Sequence, residues 1–230
     1  RRPWAREASS CRLHNSKLAI LAKRHHWRQA LDYLTAMWHR GAAPGSVAYN
    51  TVVKACERDL QLDRVLALVE HMAFKAIRAD VITHSTVISI CEQAMLWERA
   101  LSRLQFMRSQ RVAVDALTIA ATIRACDKGK QWEVSLSLLS LAIEHGTASA
   151  SVFNAAISSC ARCARWARAV HLLQAMWGRD VLSYTAAISA CERASLWARC
   201  LSILEEAWRC RSAPTPIGYR SVARACGRAL

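Results

Sequence analysis

A cysteine returns along this chain at Cys56, Cys91, Cys126, Cys160, Cys191 and Cys226, at spacings of 35, 35, 34, 31 and 35 residues. Six residues after each of the first five comes a large apolar side chain: Leu62, Trp97, Trp132, Trp166 and Trp197. Carried backward, the frame puts Leu21 in the cysteine column and Trp27 in the tryptophan column. A period of this length means that one supersecondary unit stacks on the next, so the chain must be a solenoid. With the cysteine as position 11, the repeats cover 11–45, 46–80, 81–115, 116–149, 150–180 and 181–215, followed by a partial repeat, 216–230. Residues 1–10 precede them as a basic segment, readable as a linker, a targeting remnant or the end of an earlier repeat. The start at Arg1 and the half repeat at the end read as a fragment of a longer array.

Within a repeat, apolar residues fall first at positions 4, 8 and 11, as in Tyr49, Val53, Cys56 and Tyr184, Ile188, Cys191. Steps of four and three mark one face of a helix. The second half places them at positions 17, 20, 21, 24 and 27, as in Trp97, Ala100, Leu101, Leu104 and Met107, again a helical stripe. Only 7 Gly and 4 Pro occur in 230 residues, which suits short-connected helices. The expectation is an all-α solenoid of helix-turn-helix repeats of about 35 residues. The tryptophan column is expected to anchor the core at the start of each second helix. Asp or Glu at positions 12 and 18 is read as marking helix ends, and the 31-residue repeat is expected to lose residues from its connector after Met176.

Lys and Arg total 32 against 17 acidic residues, an excess that favours an anionic partner. Position 13 concentrates it: Lys23, Arg58, Gln93, Lys128, Arg162, Arg193 and Arg228. Positions 2, 5, 9 and 13 lie opposite the apolar face of the first helix. Stacking should therefore turn this column into a basic ribbon suited to a phosphodiester backbone. No uninterrupted apolar stretch reaches the length of a transmembrane helix, and no membrane association is expected. The recurring cysteines sit among small residues and are expected to be reduced and buried. Cys160 and Cys163 form an isolated C-x-x-C pair, and neither a metal site nor a cofactor is expected.

Helical hairpins with Y-N-T-x-[VI]-x-A-C in the first half and A-L-x-L-[LV]-x-x-M in the second resemble pentatricopeptide repeats over residues 11–230. The resemblance implies a right-handed superhelical solenoid that binds single-stranded RNA sequence-specifically, about one base per repeat. It assigns base selection to position 5 and to the last residue of each repeat. Asn50 with Asp80, and Asn154 with Asp180, resemble uracil-preferring pairs. Ser85 with Asp115 resembles a guanine-type pair, and Thr185 with Thr215 a purine-type one. Asn15 with Gly45 and Ala120 with Ser149 match no familiar pair. Position 2 would sandwich the bases: Val47, Ile82, Leu117, Leu182 and Ile217 fit, whereas Arg12 and Ser151 do not. The implied target is n-U-G-n-pyrimidine-purine, read from the first repeat. Helix capping is the competing explanation for the polar residues of position 5.

The resemblance further implies organellar transcripts as partners, other RNA-processing factors beside them, and a mitochondrial or plastid location. No catalytic module is legible, because the His-x-Glu and C-x-x-C pairing of a zinc deaminase is missing; a non-enzymatic adaptor is expected. Two readings stay open beside it: a helical scaffold for an acidic protein segment, and the recognition arm of a larger RNA-processing enzyme.

Overall fold

The computed structural model describes residues 3–24, 26–212 and 215–228; the side chains of residues 3–12 and of Arg58 lie outside that description. The described residues form an all-α repeat solenoid. Its helices are α1 (Pro3–Lys23), α2 (Trp27–His39), α3 (Ser46–Arg58), α4 (Leu62–Phe74), α5 (Val81–Gln93), α6 (Trp97–Ser109), α7 (Ala116–Lys128), α8 (Trp132–Glu144), α9 (Ala150–Arg162), α10 (Trp166–Ala175), α11 (Val181–Arg193), α12 (Trp197–Arg209) and α13 (Pro216–Gly227). From α3 on, odd-numbered helices open the repeats and even-numbered ones close them. Helix α1 crosses residue 11, so the part of the basic segment from Pro3 on is helical; Arg1 and Arg2 lie outside the described residues. Two compact bodies form, one running to Ala94 and including Ser102–Ala113, the other comprising Met95–Leu101 and the chain from Val114 on. Within the first, α1 packs on α3 and α3 on α5; within the second, α7 packs on α9, α9 on α11 and α11 on α13.

The turns within the repeats from α3 on share one device. Position 15 is left-handed at Leu60, Met95, Lys130, Ala164 and Ser195, with φ of 54°, 60°, 59°, 55° and 55°. The next N–H then reaches back to the cysteine-column carbonyl: Gln61 to Cys56 (3.1 Å), Gln131 to Cys126 (2.9 Å), Arg165 to Cys160 (2.9 Å) and Leu196 to Cys191 (3.0 Å). Second helices other than α10 close alike, Ile77 donating to Met72 (2.8 Å) and Val112 to Met107 (2.9 Å). These are Schellman closures, which give the last helical carbonyls their donors. Glycine takes the left-handed place at Gly41 and Gly146, while Ala76 and Arg111 hold it with a side chain.

The core follows the expected columns in part. Position 8 is buried in every full repeat and positions 4 and 11 in most of them, with Tyr49, Val53, Cys56, Tyr184, Ile188 and Cys191 fully covered, while Tyr219 at position 4 of the last repeat is exposed. Second helices bury positions 20, 24 and 27, as at Ala30, Leu34 and Met37 or Ala100, Leu104 and Met107. The tryptophans meet that expectation only in part, for Trp166 packs against the buried core while none of them is fully covered. Trp97, Trp132 and Trp166 are half-buried and Trp197 is 47% exposed. Trp97 and Trp132 cover the turn of the following repeat: the Arg165 guanidinium lies 4.9 Å from the Trp132 ring, and a Cβ on Gly129 would strike the ring of Trp97. At the first residue of the second helix the ring reaches sideways to a neighbour rather than inward.

The short repeat also departs from expectation. Helix α10 stops at Ala175, so the shortening falls mainly on the helix and not on the connector. Met176 turns extended at φ −77° and ψ 133° yet stays buried, keeping its core place.

All described cysteines are free. Burial pushes the thiols of Cys56, Cys126 and Cys160 up to about 11. A raised thiol pKa stabilises the fold below the ordinary thiol range, and that contribution fades as pH climbs toward 11. At pH 8, iodoacetamide should label exposed Cys210 first and reach Cys56, Cys126 and Cys160 only with unfolding, as read by peptide mass spectrometry. Equal rates at all four would contradict the buried column. Ala76→Gly should raise stability by about 0.5–1 kcal/mol in urea denaturation, by relieving a left-handed side chain.

Candidate nucleic-acid interface

Position 5 and the last residue of a repeat meet because the last residue starts the next first helix. Asp80 caps α5 by accepting from the Thr83 N–H at 2.9 Å. The Asn50 Nδ2 on α3 donates to both Asp80 oxygens, at 3.1 and 2.8 Å. Thr83 Oγ1 lies 2.6 Å from Asn50 Oδ1, its donated bond, and 3.0 Å from Asp80 Oδ1. The three side chains fix one orientation of the Asn50 amide. Burial draws the Asp80 carboxyl upward, but bonds from Thr83 and Asn50 together outweigh it and hold it below its ordinary value. That stability is present above the ordinary carboxylate range and is lost as pH falls through the lowered value.

Two further pairs meet in the second body. Asn154 Nδ2 donates to Asp180 at 3.2 and 2.9 Å, and the Thr185 and Thr215 hydroxyls lie 3.2 Å apart. Asp180 caps α11 through Ser183, Thr215 caps α13 through the Gly218 N–H, and Asp115 caps α7 through the Thr118 N–H. Capping therefore belongs to the last residue of the repeat and not to position 5, and it accounts for the aspartates there. Ser85 bonds to the Ile82 carbonyl at 3.0 Å in the first body, and Asp115 lies in the second. Asn15 is half-buried with its Oδ1 unpaired, Ala120 is fully buried, and Ser149 meets Ser151 at 2.8 Å. Position 5 is thus less open than the helical stripe suggested: Asn50 is only 9% exposed. Thr83 was not legible as part of this site, since threonine at position 3 of a helix reads as an ordinary first-turn residue.

Position 2 is the opposite case. Val47 is 60% exposed, Ile82 47%, Leu117 69%, Leu182 62% and Ile217 54%. Position 2 precedes position 5 by three residues, so each apolar side chain stands on the same helical face as the pair-forming residue.

The cations of position 13 divide. Lys23 and Arg193 are exposed, as is Lys54 at position 9; the side chain of Arg58 lies outside the described residues. Arg162 Nε pairs with Asp127 at 2.9 Å, and Arg193 donates to the Arg162 carbonyl at 3.2 Å. Arg224 and Arg228 approach Glu192 at 3.9 and 4.0 Å. Lys128 is half-buried and engaged within the protein. Asp127 and Glu192 stand at position 12, read from sequence as helix-end residues; their side chains instead receive cations from the next repeat. Asp127 is 4% exposed, and burial raises its carboxyl despite Arg162. Arg162→Gln should therefore cost about 1–3 kcal/mol in denaturant titration by leaving Asp127 without its cation. Adding Asp127→Asn should recover part of that loss; no recovery would contradict the coupling.

Among the described residues, no group of three or more His, Cys, Asp or Glu is placed to hold a metal ion, and no helix is long and apolar enough to cross a membrane. The family model of the PPR repeat matches residues 47–75 and 151–181. No curated protein matches the chain. Among solved structures, the chain is similar to the pentatricopeptide repeat protein PPR10 from maize, at 20% identity and a TM-score of 0.62, over 94% of this chain and 37% of that one. PPR10 in complex with an 18-nt psaJ RNA element superposes with a TM-score of 0.63 at 12% identity, over the same shares of the two chains. The PPR domain of Arabidopsis thaliana protein-only RNase P 1, in complex with tRNA, matches with a TM-score of 0.63 at 10% identity, over 76% of this chain and 95% of that one.

Proposed function

From pentatricopeptide repeats matched at residues 47–75 and 151–181 on an all-α repeat solenoid, we propose that this chain binds single-stranded RNA sequence-specifically, one base per repeat. It acts on organellar transcripts, in a mitochondrion or plastid, as a non-catalytic part of RNA processing, stability or translation, beside other processing factors. The observation that carries this reading is the pairing of an exposed apolar residue with a fixed polar pair in the same repeat. Val47 stands 60% exposed beside Asn50–Asp80, and Leu182 62% exposed beside Thr185–Thr215. An exposed aliphatic residue is an idle feature on a solvated helix, but it offers a face on which a base can lie. The neighbouring pair then presents hydrogen-bonding groups to the base edge.

Asn50 uses its Nδ2 on Asp80 and its Oδ1 on Thr83, so the pair reaches a base as one preset unit. The base-contacting residues are Asn15, the pairs Asn50–Asp80, Asn154–Asp180 and Thr185–Thr215, and, each within its own body, Ser85 and Asp115, with Val47, Ile82, Leu117 and Leu182 beside the bases. Lys23, Arg58, Lys128, Arg162, Arg193 and Arg228 face the RNA backbone, with Arg162 and Arg228 also bound to neighbouring acids. The SELEX-free test uses short RNAs of the form n-U-G-n-pyrimidine-purine, varied at one base at a time. Lys23→Gln, Lys54→Gln and Arg193→Gln together should lower the slope of log affinity against log salt by about 2, at roughly 0.7 per cation. Asp80→Asn keeps a capping side chain and should change which base is preferred at the second place. Equal binding of all four bases there by the wild type would overturn the base assignment, and an unchanged salt slope would overturn the backbone assignment.

A further inference from the structure

The first body contains a cavity at a junction that the preceding repeat fills. Between the first and second repeats, Trp38 Nε1 donates to the Tyr49 hydroxyl at 2.9 Å, and that hydroxyl meets His71 Nδ1 at 2.7 Å. Lys75 Nζ closes the cluster, 4.6 Å from the Trp38 ring. One repeat later the same four positions carry Ala73, His84, Phe106 and Gln110. An indole has become a methyl and a phenol an imidazole. A cavity of about 490 Å³ is left, bordered by these four residues and Arg103.

Two groups at this cavity carry nitrogens without a hydrogen-bond partner. His84 is 2% exposed and its Nδ1 makes no hydrogen bond. The Arg103 guanidinium lies 5.2 Å from the Phe106 ring, and its Nε and Nη2 are shut from solvent without an acceptor. Nε and Nη2 are one edge of the guanidinium, the edge that matches the two oxygens of a carboxylate. The fifth and sixth repeats show how the fold meets such a group. There Arg179 donates to the Gln174 carbonyl at 3.0 Å and pairs with Glu206, at the position Phe106 holds in the third repeat. In the third repeat that acid is replaced by an aromatic wall.

We propose that this cavity binds a monocarboxylate with an apolar body, the carboxylate taken by Arg103 and the apolar part laid on Phe106 in the space that Trp38 fills one repeat earlier. Burial, then the charge of Arg103, lowers the His84 imidazole to about 4, so the cations among the cavity's lining groups at neutral pH are Arg103 and the exposed Arg78. At the exposed rim Glu70 and Arg78 carry opposite charges, so the rim adds no net positive charge to draw in a dianion such as phosphate. The same chemistry comes from two sources, a free small acid or an Asp or Glu side chain beside an apolar residue in a protein segment. The site involves none of the side chains assigned to RNA, so its failure leaves that reading untouched.

Calorimetric titration of the full chain tests it with two matched pairs of probes: 3-phenylpropionate against 3-phenylpropionamide, and acetyl-Ala-Phe-Glu-Ala-amide against its Gln counterpart. The acid of at least one pair should bind saturably and at least about tenfold more tightly than its neutral partner. Preference for the free acid assigns the site to a small molecule, and preference for the peptide to a protein segment; either supports the site. Arg103→Gln should erase the acid preference. Ala73→Trp refills the cavity as Trp38 does and should abolish binding with the helical circular dichroism intact. Acid and amide binding alike, no binding in either pair, or full binding by folded Ala73→Trp would overturn the proposal.

Discussion

Within each compact body, the burial of a first helix between its neighbours is the constraint on which the structure depends. Helix α9 lies against both α7 and α11, and α11 against both α9 and α13. Seven of the thirteen residues of α9 are buried, and they are small or medium: Val152, Ala155, Ala156, Ile157, Ser159, Cys160 and Ala161. Close approach of parallel helices forbids larger side chains at most of these places. The cysteine column belongs to that packing, and its carbonyl accepts the bond that closes the turn. Once two flanks are covered, little of the helix remains open, and position 2 is what stands out of it.

Contact between neighbouring repeats also explains where the charge lies. A carboxylate buried near the end of one first helix needs a partner, and the next repeat supplies it, as Arg162 does for Asp127 and Arg224 and Arg228 do for Glu192. A basic column is therefore in part the counterpart of an acidic column one place earlier. The last residue of each repeat has a comparable double role. Asp80 and Asp180 start the next helix and fix the amide of the preceding one. A side chain that caps one helix and orients a residue on another is held from both sides, as a selective hydrogen-bonding group must be.

Much of this was legible from the period alone. The helices, their turns and the buried columns at positions 4, 8, 11, 20, 24 and 27 follow from spacing, because packing repeats whenever the chain does. The exposure of Val47, Ile82, Leu117 and Leu182 was legible too, once the buried face was known. What was missed depends on contacts between repeats, which no single column displays. Thr83 reads as a first-turn threonine until Asn50 is seen beside it. Asp127 and Glu192 read as helix-end residues until the cations of the following repeat reach them. Trp97 and Trp132 misled because a large apolar residue in register looks like core, whereas the start of a helix lets its ring turn sideways. The cavity beside Arg103 appears only when four positions are compared across two repeats.

Photo-crosslinking with 4-thiouridine at the second place of the short target RNA tests the central claim most directly, since it reports which side of the helical hairpin the base touches. The account predicts crosslinks on the first helices, within residues 46–50 and 81–85, where Val47 and Ile82 stand exposed. Crosslinks confined to second helices, around exposed Phe74 or Phe106, would contradict it.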